Sequence, residues 1–112
     1  MSRRGDLLLR DMLEACRRIR GFCAEATPGS LRADERTVAA VERQLFILGE
    51  AAKQLPPEVR DRNPHVEWRA MMGFRDVLAH SYWKIDPDVL WNTVVHDVPQ
   101  LEAQLRALLS SE

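Results

Sequence analysis

The stretch GFRDVLAHSYW, Gly73 to Trp83, places Arg75, His80 and the chain's only tyrosine, Tyr82, close together in one apolar segment. A guanidinium can hold an anion and an imidazole can move a proton near neutral pH, so the first two residue types suit acid–base work on a charged group. On a regular helix Met71, Arg75, Leu78 and Tyr82 share one stripe, because steps of four, three and four return to nearly the same angle. Arg75 therefore interrupts an apolar stripe, where the plain alternative is an arginine that snorkels at the stripe's edge. His80 lies about 140° round the wheel from Arg75, so a single straight helix does not aim both at one small group. Either the helix loosens near Ser81, or two copies of the chain face each other across this helix and share the site. Asp76, four residues before His80, is placed to accept a hydrogen bond from one ring nitrogen and so fix the tautomer.

These residues need elements to carry them, and the periodicity supplies four helices. Leu9, Met12, Cys16, Ile19 and Cys23 form the first stripe, broken by TPGS at Thr27 to Ser30. Val38, Val41, Leu45, Leu48, Ala52 and Leu55 form the second, with Asp34 as its cap and Pro56 and Pro57 as its end. The segment EVRDRNPHVEW has no sustained period and reads as a connector with one turn of helix before Trp68. The third helix runs from about Trp68 to Tyr82. Asp86 caps the fourth, Pro87 occupies its first position, and Leu90, Val94, Leu101, Leu105 and Leu108 carry its stripe, with a kink expected at Pro99. With no strand signal or repeat, the expected fold is an all-α, antiparallel four-helix bundle in a single domain spanning residues 1–112.

Composition narrows the function classes. The chain has 112 residues, 46% hydrophobic and 29% charged, which is room for one modest core. No run reaches the roughly 18 apolar residues of a membrane span, and Arg10 and Asp11 break the apolar stretch near the N-terminus, so no signal peptide is legible and a cytoplasmic location is expected. A formal net charge of −1 gives no global pull toward nucleic acid, so any anion site is a local patch. Cys16 and Cys23 are about 10.5 Å apart along one helix, too far to bridge, and read as free thiols that fill space. His65, His80 and His96 form no metal-ligand spacing and the carboxylates read as scattered over solvent faces, so neither metal nor cofactor is expected. His65 and His96 read as ordinary surface or helix-end histidines. Trp68, Trp83 and Trp91 read as core or interface anchors rather than stacking platforms. Gly49 is expected to let two helices approach closely, next to Glu50, whose role is open.

At Arg75, four residues, His80, one residue, Tyr82, the sequence resembles the signature of the HepT-like toxins, a branch of the prokaryotic HEPN domains. The resemblance extends through LRDMLEACRRI, LGEAAKQLP, PHVEWRAMMGFRDVLAHSYW and IDPDVLWNTVVHDVPQLEAQL, which resemble the four family helices in order. The GEAAK block, the tyrosine and the D-x-x-x-x-W of Asp86 and Trp91 make it specific. Asp76 stands where family members often have asparagine, though within the wider HEPN pattern, and Gln44 also stands where asparagine is expected. The resemblance implies a HEPN-like helical homodimer that cuts RNA without metal through Arg75 and His80. It also implies a partner nucleotidyltransferase antitoxin, of the MntA-like kind, that neutralises the toxin by attaching AMP to Tyr82. The residues agree with that chemistry on their own terms. RNA carries its nucleophile in the 2′-hydroxyl, so cleavage needs a group to move a proton and a cation to stabilise the phosphorane. Two rivals stay open: a non-catalytic HEPN adaptor that binds a nucleotide phosphate beside a nucleotidyltransferase, and a structural dimer carrying the motif as a remnant.

Overall fold

The computed structural model describes residues 3–80 and 85–111. Helix α1 spans Arg3–Phe22 and buries Leu9, Met12, Cys16 and Ile19 completely, four of the five residues of the expected first stripe; the fifth, Cys23, lies half-buried in the turn after the helix. Removing Leu9, Met12 and Ile19 from water contributes about 1.5–3 kcal/mol each to folding. Burial, followed by the nearby charge of Glu102, pushes the Cys16 thiol up to about 12. Both cysteines are free thiols.

The TPGS segment does more than break α1. Thr27 caps a short helix α2, Pro28–Ala33: its hydroxyl accepts from the Ser30 backbone N–H at 3.0 Å, and the Ser30 hydroxyl accepts from the Thr27 N–H at 2.8 Å. This reciprocal box, with Pro28 in the first turn, starts a helix where four turn-forming residues suggested only a loop. Asp34 then caps α3, Glu35–Gln54, by accepting from the Thr37 backbone N–H at 3.1 Å and from its hydroxyl at 2.7 Å.

After α3 the expected connector forms one short helix, α4, Pro57–Arg62. Its Arg60 turns back and donates to the carbonyls of Ala52 at 2.7 Å and Lys53 at 3.4 Å, satisfying acceptors that the end of α3 leaves without partners. Trp68 is buried and donates its indole N–H to the carbonyl of Asn63 at 2.9 Å, which anchors the start of α5, Trp68–His80. The expected third helix extended to Tyr82, which lies outside the described residues.

The fourth stripe forms α6, Pro87–Asn92, and α7, Val98–Ser110, capped by Asp86 as expected. Between them, just before Pro99, where a kink is expected, Thr93–Asp97 forms a π-helical turn. The widened turn, in which the Val98 N–H donates to the Thr93 carbonyl, relieves the clash that a proline ring makes with the preceding turn.

Together these make the expected all-α bundle of four long helical stretches joined by short connections, with antiparallel neighbours. Helix α3 packs between α1 and α5, α7 packs on α1, and α2 closes over α6. The buried residues form one continuous apolar core. One carboxylate corrects the expectation of a wholly solvated set: Glu102 is 9% exposed and receives Nε and Nη2 of Arg20, each at 3.1 Å, with Arg106 at 3.2 Å. This paired guanidinium ties α7 to α1. No helix among the described residues is long and apolar enough to cross a membrane.

Candidate active site

Helix α5 is the least buried of the long helices. Only Trp68 on it is buried; Met71, Met72, Phe74 and Leu78 are half-buried, and Val77 is 49% exposed. Its inner side meets α3 at Gly49, where a Cβ would overlap the Cβ of Arg75 and the backbone carbonyl of Met71. The expected close approach therefore occurs at the arginine itself.

Arg75 is held from three directions at that crossing. Its Nε donates to Glu50 Oε2 at 2.8 Å, its Nη1 donates to Asp76 Oδ1 at 3.2 Å, and the guanidinium lies 5.0 Å from the centroid of the Phe46 ring. Among the described residues Nη2 has no hydrogen-bond partner, so its two hydrogens remain for an incoming anion. The Arg75 side chain is 21% exposed, so it is reachable but no longer free to swing. It is a fixed cation at a helix crossing, more ordered than a snorkelling side chain would be.

The hydrogen bond from Arg75, with a second from Gln54, holds the Glu50 carboxyl below its ordinary value of 4.5. Asp76 is likewise held below 3.8, chiefly by Lys53, whose ammonium donates to the same Oδ1 that Arg75 uses. Asp76 is thus engaged by Lys53 and Arg75, and no hydrogen bond joins it to His80 among the described residues. The expected orienting role gives way to a charge cluster because Lys53 reaches Asp76 from α3.

His80 is exposed in the last described turn of α5. The helix stays α-helical from Trp68 to His80, so nothing before Ser81 loosens it, and the separation of about 140° between Arg75 and His80 stands within one chain. Tyr82 and Trp83 lie outside the described residues. His65 and His96 are exposed and distant in sequence from the cluster, and among the described residues no three histidine, cysteine or acidic side chains converge as metal ligands. An apolar hollow of about 370 Å³ opens between α3, α5, the π turn and α7, lined by Leu45, Leu48, Met71, Phe74, Val98 and Leu101. Neither Arg75 nor His80 borders it.

Sequence reading missed Phe46 and Lys53 and left Glu50 without a role. The signal was present in the steps of three, four and three from Arg43 through Phe46 and Glu50 to Lys53, which place a polar and aromatic stripe beside the apolar one. Gln44, 8% exposed, makes no side-chain hydrogen bond among the described residues, and nothing in the structure explains it.

Comparison with known proteins places this geometry in context. Residues 12–108 match the family described as Ribonuclease HepT-like. A protein of Thermococcus cleftensis named a probable ribonuclease HepT is 38% identical over 100 residues, covering 89% of this chain and 91% of that protein. A protein of Caldanaerobacter subterraneus named as a candidate RNase is 38% identical over 73 residues, 65% of each chain. Another candidate RNase, from Methanocaldococcus jannaschii, is 36% identical over 91 residues, covering 81% of this chain and 75% of that one. No solved structure matches the chain.

Proposed function

Because this chain belongs to the HepT-like ribonuclease family, we propose that it is a metal-independent endoribonuclease toxin whose site is completed by a second copy of the chain. The observation that carries the reading is Arg75, fixed by Glu50 and Phe46 with Nη2 bonded to none of the described residues, on the same helix as an exposed His80. In the proposed reaction Nη2 of Arg75 takes a non-bridging oxygen of the scissile phosphate. His80 moves the proton between the 2′-hydroxyl and the leaving 5′-oxygen, and the chain ends in a 2′,3′-cyclic phosphate.

Two features support sharing the site between chains. Val77 is exposed and Phe74 and Leu78 beside it are only half-buried, which leaves an apolar face of α5 partly uncovered in the single chain. A two-fold dimer packed along α5 would also bring one chain's His80 toward its partner's Arg75, which the helix geometry hinders within one chain. The toxin's partner in this reading is an MntA-like nucleotidyltransferase antitoxin that transfers AMP to Tyr82. An adenylyl group there adds negative charge and bulk seven residues after Arg75 in the sequence, on the stretch that is to meet the RNA backbone.

One observation favours the adaptor alternative: His80 has no orienting partner among the described residues, so Arg75 could hold a nucleotide phosphate without catalysis. The test is cleavage of single-stranded RNA in the presence of EDTA. Removal of a proton-transfer group costs about 10²- to 10⁴-fold in rate, so His80→Ala should lose most activity while keeping its circular dichroism, and Arg75→Ala should do the same. Activity abolished by the chelator, or retained in His80→Ala, would overturn the mechanism. Nucleotide binding without any cleavage would establish the adaptor.

A further inference from the structure

The Phe46 ring carries two guanidinium groups. Arg75 lies 5.0 Å and Arg43 5.5 Å from its centroid, so the two guanidinium carbons are at most 10.5 Å apart. Arg75 has Glu50 and Asp76 for company, whereas Arg43 is exposed and its side chain makes no hydrogen bond or ion pair among the described residues. The sequence gives it no partner within its helix: positions three and four away are Ala39, Ala40, Phe46 and Ile47. Arg10, Arg18 and Arg32, by contrast, all find carboxylates. Cation–π attraction holds each guanidinium to the ring, but it leaves two like charges gathered at one aromatic side chain with a single uncompensated member.

We propose that Arg43 is a second phosphate-binding residue, taking the RNA phosphate next to the one held by Arg75, with Phe46 as the platform that sets their spacing. This rests on the nuclease reading for the identity of the strand. The line of groups on α3 supports it. Arg43, Phe46, Glu50 and Lys53 follow one another at steps of three, four and three, so Arg43 and Lys53 stand about 15 Å apart along the helix with Arg75 entering between them from α5. A single strand laid along this stripe meets cations in succession. Lys53, though bonded to Asp76, keeps two ammonium hydrogens for it. The contact is to backbone phosphate, so it adds affinity and register without base preference.

The experiment is binding of a fluorescent oligouridine of about ten nucleotides, followed by anisotropy in EDTA between roughly 50 and 200 mM salt. Each single-strand phosphate contact contributes about 0.7 to the slope of log affinity against log salt, so Arg43→Ala should make the slope shallower by about that amount. It should also weaken binding on the order of fivefold at low salt. Arg43→Lys, which keeps the charge and loses the planar fork, should recover the slope. Far-ultraviolet circular dichroism confirms that each variant is folded. An unchanged slope in Arg43→Ala, a lysine variant that behaves like alanine, or a wild-type chain that binds no oligouridine would each overturn the proposal. If wild type binds with the Arg43-dependent slope but leaves the RNA uncut, the nuclease reading fails and this assignment stands. Cleavage that needs His80, with a slope indifferent to Arg43, gives the reverse.

Discussion

Gly49 of α3 and Arg75 of α5 meet at a single point, where a Cβ added to the glycine would strike the Arg75 Cβ and the Met71 carbonyl. Alanine at position 49 would favour the helix by about 1 kcal/mol over glycine. The obstacles, however, are a Cβ and a main-chain carbonyl, neither of which can swing aside, and overpacking of this kind costs about 1–3 kcal/mol. Gly49→Ala should therefore lower the melting temperature despite its better propensity. It should also reduce RNA cleavage, because lifting α5 separates Arg75 from Glu50. Thermal melts and cleavage rates check this, and a stabilised, fully active variant would contradict it.

Acid should loosen the start of α3 through Asp34. Hydrogen bonds from the Thr37 hydroxyl and backbone hold its folded-state carboxyl below the ordinary 3.8. A depressed folded value means that the stabilisation is fully present above pH 3.8 and is lost as pH falls through the lower folded value. Melting temperature followed from pH 6 downward should drop in wild type below about pH 4. Asp34→Asn should start lower and lose less over that window, and parallel curves for the two proteins would remove Asp34 from the explanation.

A site shared between chains makes a demand on mixtures. Arg75→Ala and His80→Ala proteins, each inactive alone, should regain cleavage when unfolded together and refolded. Half of the resulting dimers are mixed and each has one of its two sites intact, so about a quarter of wild-type activity is expected. No recovery would mean that both residues act within one chain.

The AMP assignment is read by intact mass. Coexpression with the cognate nucleotidyltransferase should add one or more AMP units to the wild-type chain, none to Tyr82→Phe, and the modified protein should leave RNA uncut. Full inhibition by the partner with Tyr82 unmodified would mean that neutralisation works by cover alone.

The bundle was legible wherever a stripe and a cap coincided: Asp34 before Val38 and Val41, and Asp86 with Pro87 before Leu90, are the ends the structure uses. Helix α2 was hidden because Thr27, Pro28, Gly29 and Ser30 are turn formers that also happen to satisfy a capping box, and only the pairing of Thr27 with Ser30 decides between the two. The wide turn before Pro99 had a trace in Leu90, Val94 and Val98, two successive steps of four where a regular helix alternates with three. At the site, Arg75 could be picked out as a charge on an apolar stripe, but its partners could not. Glu50, Phe46 and Lys53 belong to α3, 22 to 29 positions earlier, and local periodicity does not say which helices will cross or where.

The π turn at Thr93–Asp97 also shows where the length of this chain is negotiable. Such a turn accommodates one residue more than the α turn it replaces. Loss of a single residue there could be absorbed by closing the turn, with Pro99 pressed back toward a carbonyl as the penalty. The same loss between Phe46 and Lys53 would rotate the following part of α3 by about 100° and carry Glu50 away from Arg75. Insertions and deletions should therefore be tolerated on the last helix long before they are tolerated on α3, whose residue count is itself part of the site.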